Sequence, residues 1–86
     1  MKIRIVVSGR NYDSAVGIPE QLTLPEGASL DDALRALAEL FPEGKRPPEN
    51  CLVAVSGKHL GTLRSHRPHV LRDGDELMVI APVAGG

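Results

Sequence analysis

The sequence predicts an α+β domain in which one main helix packs on one face of a mixed sheet. Three observations carry this. Residues 30–41 repeat their apolar side chains at three- and four-residue steps, the period of a helix that buries one face. Segments of strand length on either side of it alternate or run apolar, the pattern of half-buried and fully buried strands. The chain has 86 residues, which is room for one small domain.

Each element has its own signal. Ile3, Ile5 and Val7 alternate with Arg4 and Val6, the two-residue period of a strand. Residues 9–19 are polar and turn-rich and read as a connection. Gln21, Leu22, Thr23 and Leu24 alternate again, and Pro25-Glu26-Gly27 ends them. Ser29 then serves as an N-cap, with Asp31 and Asp32 in the first turn, where carboxylates favour the positive helix end. Leu30, Ala33, Leu34, Leu37, Ala38 and Phe41 share one face, and Pro42 stops the helix. Residues 42–50 are a loop. Leu52, Val53, Ala54 and Val55 form a short apolar strand closed by Ser56-Gly57. The pattern from 58 to 72 is weak and predicts no element. Arg72-Asp73-Gly74-Asp75 is a turn, and residues 76–81 are apolar almost throughout, as in a strand covered on both faces.

The predicted order is strand, strand, helix, strand, strand. A central last strand lying parallel to the first, with the helix crossing their face, is the β-grasp (ubiquitin-like) arrangement. Residues 1–81 are assigned to that domain and 82–86 to a flexible C-terminal Gly-Gly tail.

Composition excludes several classes of function. Ten Lys and Arg against 11 Asp and Glu give a formal charge of -1, without the basic face that a phosphate backbone requires. Tyr12 and Phe41 are the aromatic residues, too few to stack bases, so no nucleic-acid partner is expected. Cys51 is the single cysteine, which leaves neither an internal disulfide nor the ligands of an iron–sulfur ferredoxin. No apolar run approaches the length of a membrane span, and residues 1–8 do not read as a signal peptide. A soluble, cytoplasmic protein with no membrane partner is the expectation.

The end of the sequence carries the chemistry. Pro82 cannot continue a ladder of hydrogen bonds, and Val83, Ala84, Gly85 and Gly86 run out to a carboxylate. A chain end this small can enter a narrow channel in a partner enzyme, and without Cβ atoms it lets a nucleotide and a nucleophile approach the last carbonyl. The carboxylate is inert until activated. Joined to AMP as a mixed anhydride, it is open to attack by sulfur or an amine.

The chain resembles the MoaD/ThiS group of ubiquitin-like sulfur carriers. The matching pieces are Leu24-Pro25-Glu26-Gly27-Ala28-Ser29-Leu30, Leu40-Phe41-Pro42, Val53-Ala54-Val55-Ser56-Gly57, and Leu71-Arg72-Asp73-Gly74-Asp75-Glu76-Leu77 leading into Pro82-Val83-Ala84-Gly85-Gly86. They occur in family order over most of the chain. The resemblance implies a β-grasp fold and a carrier that is not itself an enzyme. It implies that an ATP-dependent adenylating enzyme of the ubiquitin-activating type joins Gly86 to AMP, using ATP and magnesium that the carrier does not bind. Sulfur then gives a thiocarboxylate, used by an acceptor such as the large subunit of molybdopterin synthase. Pro82, Val83, Ala84 and Gly85 would be the residues gripped by partners. Thiamine, cysteine and tRNA-thiolation enzymes are alternative acceptors, and a protein modifier forming isopeptide bonds through Gly86 is a rival from another class. Two positions depart from the family. Ser56 stands where molybdopterin-type members often have Asn, and residues 58–69 are longer and more basic than in the smallest thiamine-type carriers.

Other residues invite weaker readings. His59, His66 and His69 lack the further ligands of a zinc site, so no metal is predicted and exposed loop positions are expected. Cys51, at the head of an apolar strand, is expected to pack and not to react. Lys58, Arg64, Arg67 and Arg72 form a basic cluster, read as a solvated face or a docking patch. Val6, Leu52, Ala54 and Met78 are candidates for an apolar docking patch if they face away from the helix.

Overall fold

A computed structural model describes residues 1–8, 19–41 and 47–81. Strands β1 (Lys2–Ser8) and β2 (Gln21–Thr23) precede helix α1 (Leu30–Leu40). Strands β3 (Leu52–Val55), β4 (Lys58–Thr62) and β5 (Glu76–Ile80) follow it. The described strands form one sheet in the order β2-β1-β5-β3-β4. β5 lies at the centre, parallel to β1 with Ile5 opposite Leu77, and antiparallel to β3 with Val53 opposite Val79. β1 pairs antiparallel with β2. This is the β-grasp fold, and the apolar run of residues 76–80 occupies the central position that its composition predicts.

Helix α1 lies on one face. Leu30, Ala33 and Leu37 are buried in a cluster with Ile3 and Ile5 of β1, Val53 and Val55 of β3, and Leu77 and Val79 of β5. These strand residues recur at every second position, so one sheet face meets the helix. A capping box starts α1: the Ser29 hydroxyl accepts from the Asp32 backbone N–H at 3.1 Å, and the Asp32 carboxylate accepts from the Ser29 N–H at 3.0 Å. At the other end Phe41 has extended backbone, the conformation forced on a residue that precedes proline. Truncating Leu37, 3% exposed, would cost about 2–5 kcal/mol by removing apolar contacts and leaving a void.

The sheet has one strand more than the sequence predicts. β4 escapes notice because Lys58, His59, Gly61 and Thr62 surround a single large apolar residue, Leu60. Its alternation is also broken. Val53 pairs with Gly61 but Ala54 pairs with His59, so Leu60 is an extra residue, and this bulge lets it enter the core at 4% exposure. Gly61 has φ 132 and supports the close return of the chain. A Cβ there would collide with the Ser65 carbonyl oxygen and lie 2.9 Å from Cα of His66. The connection after β4 folds back along it: Arg67 N–H donates to the Leu60 carbonyl at 2.8 Å and Thr62 N–H to that of Ser65 at 2.8 Å. The edge of the sheet is thereby covered by its own chain.

Candidate docking face and tail attachment

The residues to which the sequence assigns the chemistry, Pro82, Val83, Ala84, Gly85 and Gly86, lie outside the described residues, as do Pro42 and the first connection. The structure does describe how the chain reaches them. Ile80 is paired on both sides, with Ser8 of β1 and Leu52 of β3, and the Ala81 N–H still donates to the Ser8 carbonyl at 2.8 Å. The central strand is held in the sheet up to the residue before Pro82.

On the face away from α1, Val6, Met78 and Ala54 stand side by side across three strands, because Met78 pairs with Val6 and with Ala54. Leu52 and Ile80 form a second row next to the point where the chain leaves the sheet. All four residues proposed from the sequence come together here. Ile80 belongs with them and was legible from its two-residue spacing from Met78. Leu52 is 38% exposed, whereas Ala54 is 4% exposed and forms a floor between larger neighbours. Arg4 and Glu76, paired across β1 and β5 with nitrogen and oxygen 3.9 Å apart, make a polar rim. His59, opposite Ala54 on β4, is exposed at the margin of the same sheet face. An apolar centre with a polar margin can bind another protein by excluding water from the patch.

The remaining candidates separate. Cys51 is fully buried, and burial pushes its thiol up from the ordinary range, away from the reactive thiolate. Lys58 opens β4 while Arg64 follows its far end, so the basic residues are spread along the molecule, all four exposed. His66 corrects the expectation of exposed loop histidines: its side chain is only 11% exposed and bonded at both ring nitrogens. Among the described residues, no three His, Cys, Asp or Glu side chains gather as metal ligands, and no helix is long and apolar enough to cross a membrane.

Comparison with known proteins decides the family. The family model described as the ThiS family matches residues 5–86. The chain belongs to the ThiS family. Members of the ThiS family are small, generally non-catalytic sulfur carriers that work with partner enzymes. The match begins at Ile5, within β1, and includes β2, α1, β3, β4 and β5. A molybdopterin synthase sulfur carrier subunit of Chlamydomonas reinhardtii is 28% identical over 87 residues, with both chains covered completely. A protein of Archaeoglobus fulgidus, described as uncharacterized, is 30% identical over 91 residues, again with complete coverage of both. No solved structure matches at a significant level.

Proposed function

We propose that this ThiS-family chain carries sulfur as a thiocarboxylate on Gly86 and delivers it in molybdopterin biosynthesis. The Gly85-Gly86 end, in a chain of a sulfur-carrier family, is the observation that carries the reading. The Gly86 carboxylate attacks the α-phosphate of ATP and expels pyrophosphate. A sulfur nucleophile then displaces AMP from the acyl adenylate. ATP, magnesium and the catalytic side chains belong to the adenylating partner, so the carrier is not an enzyme by itself and binds no cofactor. Residues 1–81 are the docking body, and Pro82, Val83, Ala84 and Gly85 thread Gly86 into the partner's site. The sheet face of Val6, Leu52, Ala54, Met78 and Ile80 supports this reading, since it lies beside the origin of the tail. The molybdopterin role rests on the Chlamydomonas relative, and the acceptor it implies is a molybdopterin synthase large subunit.

Intact mass spectrometry of a Cys51→Ser variant, incubated with ATP, magnesium and the host's adenylating enzyme and a sulfur donor, tests the carrier chemistry. Replacement of one oxygen by sulfur at Gly86, alkylatable and abolished by deletion of Gly85 and Gly86, is the expected result. Neither adenylate nor thiocarboxylate at Gly86 would overturn it. A ladder of higher-mass conjugates without thiocarboxylate would assign the chain to protein modification instead. Sulfur transfer to a molybdopterin precursor, with none to thiamine, cysteine or tRNA acceptors, identifies the pathway.

A further inference from the structure

His66 lies outside the tail and the docking face, yet both of its ring nitrogens are held by hydrogen-bond partners. Its Nδ1 is 2.8 Å from the Thr62 carbonyl oxygen and its Nε2 is 2.6 Å from Oδ1 of Asp31 on α1. A carbonyl oxygen and a carboxylate oxygen both accept hydrogen bonds. Neutral imidazole has one N–H and can satisfy one of them, leaving a lone pair aimed at the other; imidazolium satisfies both. We propose that His66 is a doubly protonated clasp that holds the β4–β5 connection against α1, and that loss of one proton releases the connection from the helix.

The surroundings set the direction of the effect. Burial disfavours the charged ring and is the largest single influence. The hydrogen bonds to Asp31, Thr62 and Leu63, with the Asp31 charge, outweigh it together and raise the His66 pKa above its ordinary 6.5. Asp31 and Arg35 border the ring's groove from α1, and Glu49 borders it from the segment before β3. Arg64 and Arg67 flank His66 on its own connection. Of these groups, Asp31 makes the hydrogen-bonded ion pair. A pKa raised by folding means that the clasp contributes fully at pH below 6.5 and is lost as pH rises through the folded value.

The rest of the connection confines the movement. Its far end is tied independently, with Leu30 N–H donating to the His69 carbonyl at 2.8 Å and a bridge between Ser29 and Val70. Its near end is tied as well, with Leu63 N–H donating to the Cys51 carbonyl at 3.0 Å and Arg64 N–H to the Glu49 carbonyl at 2.9 Å. Release therefore acts on the stretch between them, residues 65–68, which carries Arg67. The proton on His66 governs how firmly this cation is presented beside β4.

Ring nitrogen NMR combined with amide hydrogen exchange tests the clasp. The expected result is a His66 midpoint above 6.5, with both ring nitrogens protonated below it. Protection at the Arg67 amide, which donates to the Leu60 carbonyl, should fall several-fold through the same midpoint once corrected for intrinsic exchange. Asp31→Asn provides an amide that donates to unprotonated Nε2. It should lower the midpoint and remove the pH dependence of protection while keeping the chain folded. A midpoint at or below 6.5, protection indifferent to the His66 titration, or the same pH dependence in Asp31→Asn would each overturn the proposal.

Discussion

The Ser56 hydroxyl donates to Oδ1 of Asp75 at 2.9 Å, joining the β3–β4 turn to the turn that leads into β5. Ser56 Oγ also accepts from the Glu76 N–H at 3.3 Å, and Asp75 Oδ2 accepts from the Arg72 N–H at 2.8 Å. Ser56 adopts φ 48, the left-handed backbone that residues with a Cβ resist. These bonds compensate for that conformation. Ser56→Ala loses the two bonds made by its hydroxyl and keeps the backbone cost, so it should destabilise by about 1 kcal/mol. Ser56→Gly also loses them but relieves the backbone, and should cost measurably less. Urea unfolding midpoints of the two variants check the order. Ser56→Asn should be the best tolerated of the larger replacements for this backbone, since Asn visits the left-handed region more readily than most residues.

Gly61→Ala should be among the most damaging small substitutions in the molecule. The added methyl meets the Ser65 backbone and His66, neither of which is the free end of a side chain. At φ 132 the backbone is strained for any residue with a Cβ as well. A loss of about 2 kcal/mol or more is expected, together with lost exchange protection at Thr62 and Arg67. Unchanged stability would show that the connection after β4 can withdraw without cost.

Much of this fold was legible because its signals are local. The apolar period of residues 30–41, the cap at Ser29 and the run of residues 76–80 each act within a few positions, and each matches the structure. β4 was missed because its partner, the bulge at Leu60 and the return of Ser65 over Gly61 are tertiary facts. No two-residue period survives in Lys58, His59, Leu60, Gly61 and Thr62. His66 was misjudged for the same reason. It is bonded to Asp31, which is 35 residues distant along the chain. The docking face was readable as four candidates, but only the pairing of β1, β5 and β3 shows that they are neighbours.

The helix cap gives an acid-sensitive contribution. Hydrogen bonds to the Ser29 backbone and side chain, with help from Arg35, hold the Asp32 carboxyl below its usual 3.8. A pKa depressed by folding contributes above the unfolded value and is lost as pH falls through the folded one. The stability gap between the parent chain and Asp32→Asn should therefore be full at neutral pH and close in acid, below 3.8. Ser29→Ala removes the other half of the box and should cost about 1 kcal/mol at neutral pH. Thermal unfolding of both variants at several pH values measures this; a gap that widens in acid would contradict the assignment.

Leu52→Glu separates docking from folding. Leu52 is 38% exposed on the face away from α1, next to Ile80, so a charge there can remain solvated in the free carrier. Stability should change by less than about 1 kcal/mol. In a complex that covers this face, the carboxylate would lie in the apolar centre of the interface without a partner. Buried interface anchors cost about 2 kcal/mol or more when replaced, so binding to the adenylating enzyme should weaken at least roughly thirtyfold. Lys58→Glu, at the exposed first residue of β4, serves as the control for a general charge effect. Calorimetric titration of each folded variant against the enzyme gives the comparison. Equal losses would point to electrostatic attraction, whereas a loss confined to Leu52→Glu would locate the contact on the sheet face.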